Sequence, residues 1–372
     1  MFFSFCPWQD DRFPEHKLIN DQWWFNHDKG WQQTDAGWIK GYRYDQLDHG
    51  NHCEVTIDQN SDIHIKHDID RSFPLWWDES RQVLTNLLGS GENIWCDDVV
   101  KLTPNGLYKT KKNIYEITNQ SSIDYDTLIT ALYNNLHAKI IQFKQDSTQK
   151  KLFLSGGIDT LILLAMARSV DLDVEILDYD HFEYDKFLDL NLEHIKARHW
   201  GYKQMHHWQQ DCFLMTGACG DEFFMRGPNT LSIWCAWHGI CIEALLSKND
   251  GYHTKYFQLD KNLSIFKQNY LNQDRIRDLY PTKKDLIKQI LHINANDHQH
   301  WHLGNTLTWT PFKDLELSRL CMALDAEEFV DHMINATISK KLLCKFDASC
   351  LQFLSTYKNL DRRQNLYKLF GY

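Results

Sequence analysis

A chain of 372 residues, 43% hydrophobic and 24% charged, is long enough for two domains and apolar enough to bury a core in each. Its net charge of −10 argues against a broad nucleic-acid footprint, which needs a basic face. No apolar run reaches membrane-spanning length, and the run at Phe2, Phe3 and Phe5 is cut short by Asp10, Asp11 and Arg12, so no membrane partner and no signal peptide are expected. The 10 cysteines form no CxxC pair and no zinc-ligand spacing, and free thiols in the cytoplasm are the expectation.

Residues 1–120 are predicted to be a β-rich domain. Trp38–Tyr44, Cys53–Ile57 and Asp62–Lys66 alternate apolar and polar residues, and Asp58-Gln-Asn-Ser61 suits a hairpin turn. Phe73–Trp77 is a further extended segment. Asp78–Leu88 is rich in helix formers and predicts a short helix stopped by Gly89-Ser-Gly91. Residues 107–117 add one or two strands. Many of the 14 Trp lie in this region, where packing on a sheet face is the expected role.

Residues 121–372 have a different period. Leu128, Leu132, Leu136 and Ile140 recur every four residues and predict an amphipathic helix after the polar linker 119–124. Lys144–Lys150 connects it to a strand at Lys151–Leu154. Ser155, Gly156 and Gly157 form a turn, and Ile158–Arg168 a helix free of Pro and Gly. Asp173–Asp178 predicts a second strand, Asp185–Trp200 its crossover helix ended by Gly201, and Phe213–Thr216 a third strand. Strands alternating with helices predict an α/β fold, a parallel sheet with helices on both faces, whose ligands bind at the strands' carboxyl ends. Residues 229–300 are predicted helical, as 233–246, 263–271 and 283–293, the last stopped by Asn294-Ala-Asn296; more helices and a basic, aromatic tail fill 314–372.

The strand–turn–helix at 151–168 carries chemistry. It points backbone N–H groups and a helix N-terminus at an anion, and its glycines let phosphate oxygens approach the backbone. Leu154, Ser155, Gly156, Gly157 and Thr160 would line such a site, with Ser155 donating its hydroxyl. Asp159 would repel a phosphate unless it holds a Mg²⁺ that the phosphates share; a plain acidic first turn is the structural alternative. Thr216 and Gly217, at another strand end, would meet the same bound anion, with Asp221 as a second Mg²⁺ ligand.

The stretch Leu154-Ser-Gly-Gly-Ile-Asp-Thr160 resembles the SGGxD[ST] loop of the N-type ATP pyrophosphatases, the PP-loop superfamily, and is no Walker A loop. Thr216–Phe224, TGACGDEFF, resembles the SGEGxDELF block of the asparagine synthetase family, and Thr310–Leu317, TPFKDLEL, its VPFLDxxL block. The resemblance implies an adenine nucleotide alpha hydrolase-like domain at 121–372. Its cofactors would be ATP and Mg²⁺, and it would adenylate a small-molecule or peptide carboxylate and pass the acyl group to an amine. A homodimer is the candidate assembly.

Lys340, in SKKLLC, stands where that family has a lysine that steadies the departing pyrophosphate, next to Lys341. Ala218 replaces the family's glutamate and Cys344 its arginine. Asp297 lies near where a further family aspartate is often found. Residues 1–120 resemble the family's glutaminase-like, Ntn-type domain through Arg71–Trp77 and Leu102–Gly106. Phe2 replaces the nucleophilic cysteine, and Cys6 is not freed as one, so no glutamine hydrolysis is expected. His298, His300 and His302, spaced by two, are a weaker metal candidate. Two alternatives remain open: a PP-loop enzyme modifying tRNA or bases, which the charge disfavours, and a nucleotide-binding relic without turnover.

Overall fold

The computed structural model describes residues 2–5, 15–19, 21, 23–27, 30–43, 50–68, 75–85, 92–95, 98–111, 122–154, 157–177, 212–217, 219–247, 254–297 and 307–354. The first region folds as strands β1 (Phe2–Ser4), β2 (Glu15–Ile19), β3 (Trp23–His27), β4 (Gln32–Thr34), β5 (Gly37–Arg43), β6 (Gly50–Ile57), β7 (Ile63–His67), β8 (Leu75–Asp78), β9 (Val83–Thr85), β10 (Glu92–Ile94), β11 (Asp98–Thr103) and β12 (Gly106–Lys111). They form two antiparallel sheets, ordered β10-β8-β9-β1-β3-β2 and β12-β11-β7-β6-β5-β4. Alternation explains the layering: Cys53 and Val55, Ile63 and Ile65, and Val100 and Leu102 all point inward, into one core with Phe3, Trp23, Phe25 and Trp77 of the other sheet. The expected 58–61 turn is present, with Asp58 Oδ1 accepting from the N–H groups of Asn60 and Asp62.

One element differs from expectation. No helix covers 78–85: β8 turns at 79–82 into β9, with Trp76 opposite Thr85. Asp78 Oδ1 accepts from Ser80 Oγ and from Arg81 N–H, which closes a turn where propensity favoured a helix.

The second region begins with α1 (Tyr125–Lys144), capped by the Asp124 carboxylate, which accepts from Thr127 N–H. Then follow β13 (Lys150–Phe153), α2 (Ile158–Ser169), β14 (Glu175–Leu177) and β15 (Phe213–Met215). A run of short helices comes next: α3 (Gly220–Phe223), α4 (Pro228–His238), α5 (Ile242–Leu246), α6 (Thr254–Phe257), α7 (Asp260–Leu271), α8 (Gln273–Leu279) and α9 (Lys283–Asp297). Strand β16 (Leu307–Trp309), α10 (Leu315–Cys321), α11 (Ala326–Asn335), α12 (Thr337–Asp347) and a 3-10 helix at Ala348–Phe353 follow. The described strands of this sheet are all parallel, ordered β14-β13-β15-β16. Phe143 of α1 stacks on Trp309 at 4.1 Å and meets Phe213 edge-on at 5.1 Å, fixing α1 over this sheet. Helix α2 is buried from Thr160 to Ala167, as a stretch apolar on nearly all sides must be.

Two boundaries in this region are corrected and one strand is added. The apolar run 233–246 breaks at Gly239, which takes φ +73 at the end of α4. Helix α9 continues through Asn294 to Asp297 rather than stopping at 294. Strand β16, unassigned in the sequence, adds a fourth strand just before Thr310. The expected helix 185–200 and the histidines 298, 300 and 302 lie outside the described residues. Among the described residues, no helix is long and apolar enough to cross a membrane.

Candidate functional site

Strands β13 and β15 are neighbours, with Lys151 beside Leu214 and Leu152 beside Met215. Their carboxyl ends therefore release 154–158 and 216–220 on the same edge of the sheet. Strand β16 ends there too, and Thr216 N–H donates to Trp309 O at 3.1 Å. All three sequence blocks thus gather at one edge, as the parallel topology requires.

The two loops touch. A Cβ on Gly217 would lie 2.9 Å from Thr160 N, and one on Gly220 would lie 2.4 Å from Asp159 Cγ. These glycines admit the first turn of α2, so their bareness serves contact between loops as well as any ligand. Gly157 caps α2 with φ −71, an angle any residue adopts. Cys219 stands at the second glycine of the SGEG block and takes φ +64, a left-handed conformation that costs a non-glycine residue about 1 kcal/mol or more.

Asp159 and Asp221 meet on a single cation. Arg226 Nη2 pairs with Asp159 Oδ1, and its Nη1 lies 2.7 Å from Asp221 Oδ1. The guanidinium is buried, at 1% exposure, while the Asp221 side chain is 40% exposed. Burial raises the Asp159 carboxyl above the usual carboxylate range; Asp221 and Glu222 add to this, and Arg226 opposes it. Two carboxylates share one guanidinium, so these three side chains carry an excess of negative charge that favours a further cation or a proton.

The donor set fits magnesium: two hard carboxylates, the usual protein contribution to such a site, already converge on a positive group. Among the described residues there is no group of three or more His, Cys, Asp or Glu suited to a metal.

The other expected residues divide. Leu154 is buried in the core. Thr160 donates its hydroxyl to Gly157 O at 3.0 Å, within its own helical turn. Thr216 is buried at the strand end. Lys340 sits half-buried on α12, the helix packed along α2, and burial lowers the pKa of its ammonium. Ser155, Gly156 and Ala218 lie outside the described residues, and Asp297 is placed only as the last residue of α9.

Asp314 of the third block has a bracing role. It caps α10 by accepting from Glu316 N–H, and it lies 2.5 Å from buried Lys139 Nζ of α1.

Three residues were not foreseen. Arg226 belongs to no motif; its only sequence signal is a lone cation in the apolar run FFMRGP. Asn294 Nδ2 donates to Glu222 O and Ser318 Oγ, and Ser318 Oγ donates to Phe223 O, so together they brace α3 from behind. A cleft of about 500 Å³ lined by Lys144, Lys150 and Asp173 opens at the opposite end of the sheet, away from the acids. No protein-family model matches the chain, and no curated protein matches it.

Proposed function

We propose that the chain is an ATP-dependent, AMP-forming carbon–nitrogen ligase of the asparagine synthetase type that works without glutamine hydrolysis. The observation that supports this reading is the meeting of Asp159 and Asp221, from two adjacent strand ends, on one buried cation. In this reading residues 121–372 are an adenine nucleotide alpha hydrolase-like synthetase domain, and residues 1–120 a glutaminase-like domain without its nucleophile. Asp159 and Asp221 would hold magnesium, which when bound neutralises phosphate charge. Leu154–Gly157, Thr216 and Gly217 would orient the triphosphate, and Lys340 would steady the charge that develops as pyrophosphate departs. A carboxylate made into its adenylate carries AMP as leaving group, which an amine then displaces.

The test is pyrophosphate release with ATP, magnesium and a panel of carboxylates and amines. Carboxylate-dependent release is expected; no release from any pair, with no stabilisation by ATP against heat, would contradict the reading. One observation favours a nucleotide-binding relic instead: the acids are already committed to Arg226, while Ala218 and Cys344 replace family residues. ATP binding without turnover would support it.

A further inference from the structure

We propose that Arg226 is a built-in competitor for the divalent cation at Asp159 and Asp221. This inference rests on reading those two aspartates as the cation-binding pair. The geometry is specific. Arg226 follows α3 and is anchored by its own N–H donating to Asp221 O at 2.5 Å. Its guanidinium offers one terminal nitrogen to each carboxylate and sits 5.9 Å from the Phe224 ring centre. It is the most buried of the three side chains, at 1% exposure against 16% for Asp159 and 40% for Asp221. Solvent therefore reaches the cluster through Asp221.

A guanidinium does not lose its proton in proteins, so this charge is permanent. A bare divalent ion entering between the carboxylates would place a second cation beside it and pull its anions away. Two cations drawn to the same pair of carboxylates repel each other, and each weakens the other's hold. An ion that arrives with a polyphosphate brings new anionic oxygens for the guanidinium. Arg226 thus sets the pair against free metal and in favour of metal carried by phosphate, and the two binding events become reciprocally coupled.

Isothermal titration of the full chain with Mg²⁺ alone, and with Mg²⁺ plus inorganic tripolyphosphate, tests this. Arg226→Met is expected to bind Mg²⁺ alone at least about tenfold more tightly than the wild type. Arg226→Lys keeps one charge but loses the two-pronged geometry, and is expected to gain in the same direction; it carries the test if Arg226→Met does not fold. Folded Arg226 variants that bind Mg²⁺ no more tightly than the wild type would overturn the inference. The two arms separate the claims. A gain in Mg²⁺ affinity with no tripolyphosphate binding keeps the competitor and counts against the ligase. Tripolyphosphate binding with no such gain keeps the ligase reading and removes the competitor.

Discussion

Gly217 and Gly220 are where single atoms decide the site. Each lies against the Asp159–Thr160 turn, closer than a Cβ tolerates. Gly217→Ala would push on the backbone of α2 and is expected to cost roughly 1–3 kcal/mol in urea denaturation. Gly220→Ala meets the Asp159 side chain, from its Cβ at 2.9 Å to its Cγ at 2.4 Å. It is expected to displace that carboxylate from its place opposite Asp221, read out as weakened binding of Mg·ATP. At this scale much was legible in the sequence. Asp159, Thr216, Gly217 and Asp221 follow strands in recognisable blocks, and parallel strands deliver such blocks to one edge. Arg226 was not legible, because a lone arginine acquires its partners only through tertiary convergence. Nor were Asn294 and Ser318, whose bracing of α3 joins segments far apart in the chain.

Elements held where period and packing agreed. Helix α1 and strands β13, β14 and β15 were readable because their apolar residues face one core. Over 78–85 strand pairing replaces the expected helix because pairing of β8 with β9 outweighed local propensity, and the polar residues between them closed a turn. Asn294 does not stop α9 because its side-chain amide finds buried partners, which removes its competition with the helix backbone. At the end of α4, His238 lies between Trp234 and Trp237, with ring centroids 4.5 and 4.8 Å away. Burial, helped by Lys283 and Arg277 and opposed by Asp325, lowers its pKa from 6.5 to about 4. Between those values the unfolded chain takes up a proton that the folded chain refuses, so stability is complete above 6.5 and falls as pH drops toward about 4. Urea midpoints measured across this range are expected to fall on acidification in the wild type and to fall less steeply in His238→Gln; identical slopes would exclude His238 as the cause.

At the scale of the molecule, most buried apolar side chains among the described residues fall into two sets that share no member, one from Phe3 to Leu102 and one from Leu128 to Phe353. Calorimetry is therefore expected to resolve two unfolding transitions. Trp23 is fully buried in the first set, with its indole N–H donating to Thr103 O. Trp23→Ala is expected to lower only the first transition, by about 3–5 kcal/mol. A single cooperative transition shifted as a unit would mean that the two cores fold together. That the chain would split between antiparallel β-structure and a parallel α/β sheet was legible from the change of hydrophobic period near residue 120. Strand β16 was not, because three residues are too few to show a period. The account rests on Asp159 and Asp221 acting jointly on a metal-bound triphosphate. Calorimetric titration of Mg·ATP into the wild type and Asp159→Ala tests that most directly: loss of one buried carboxylate should weaken binding by about 2 kcal/mol or more, roughly thirtyfold, whereas equal affinities in the two chains would contradict it.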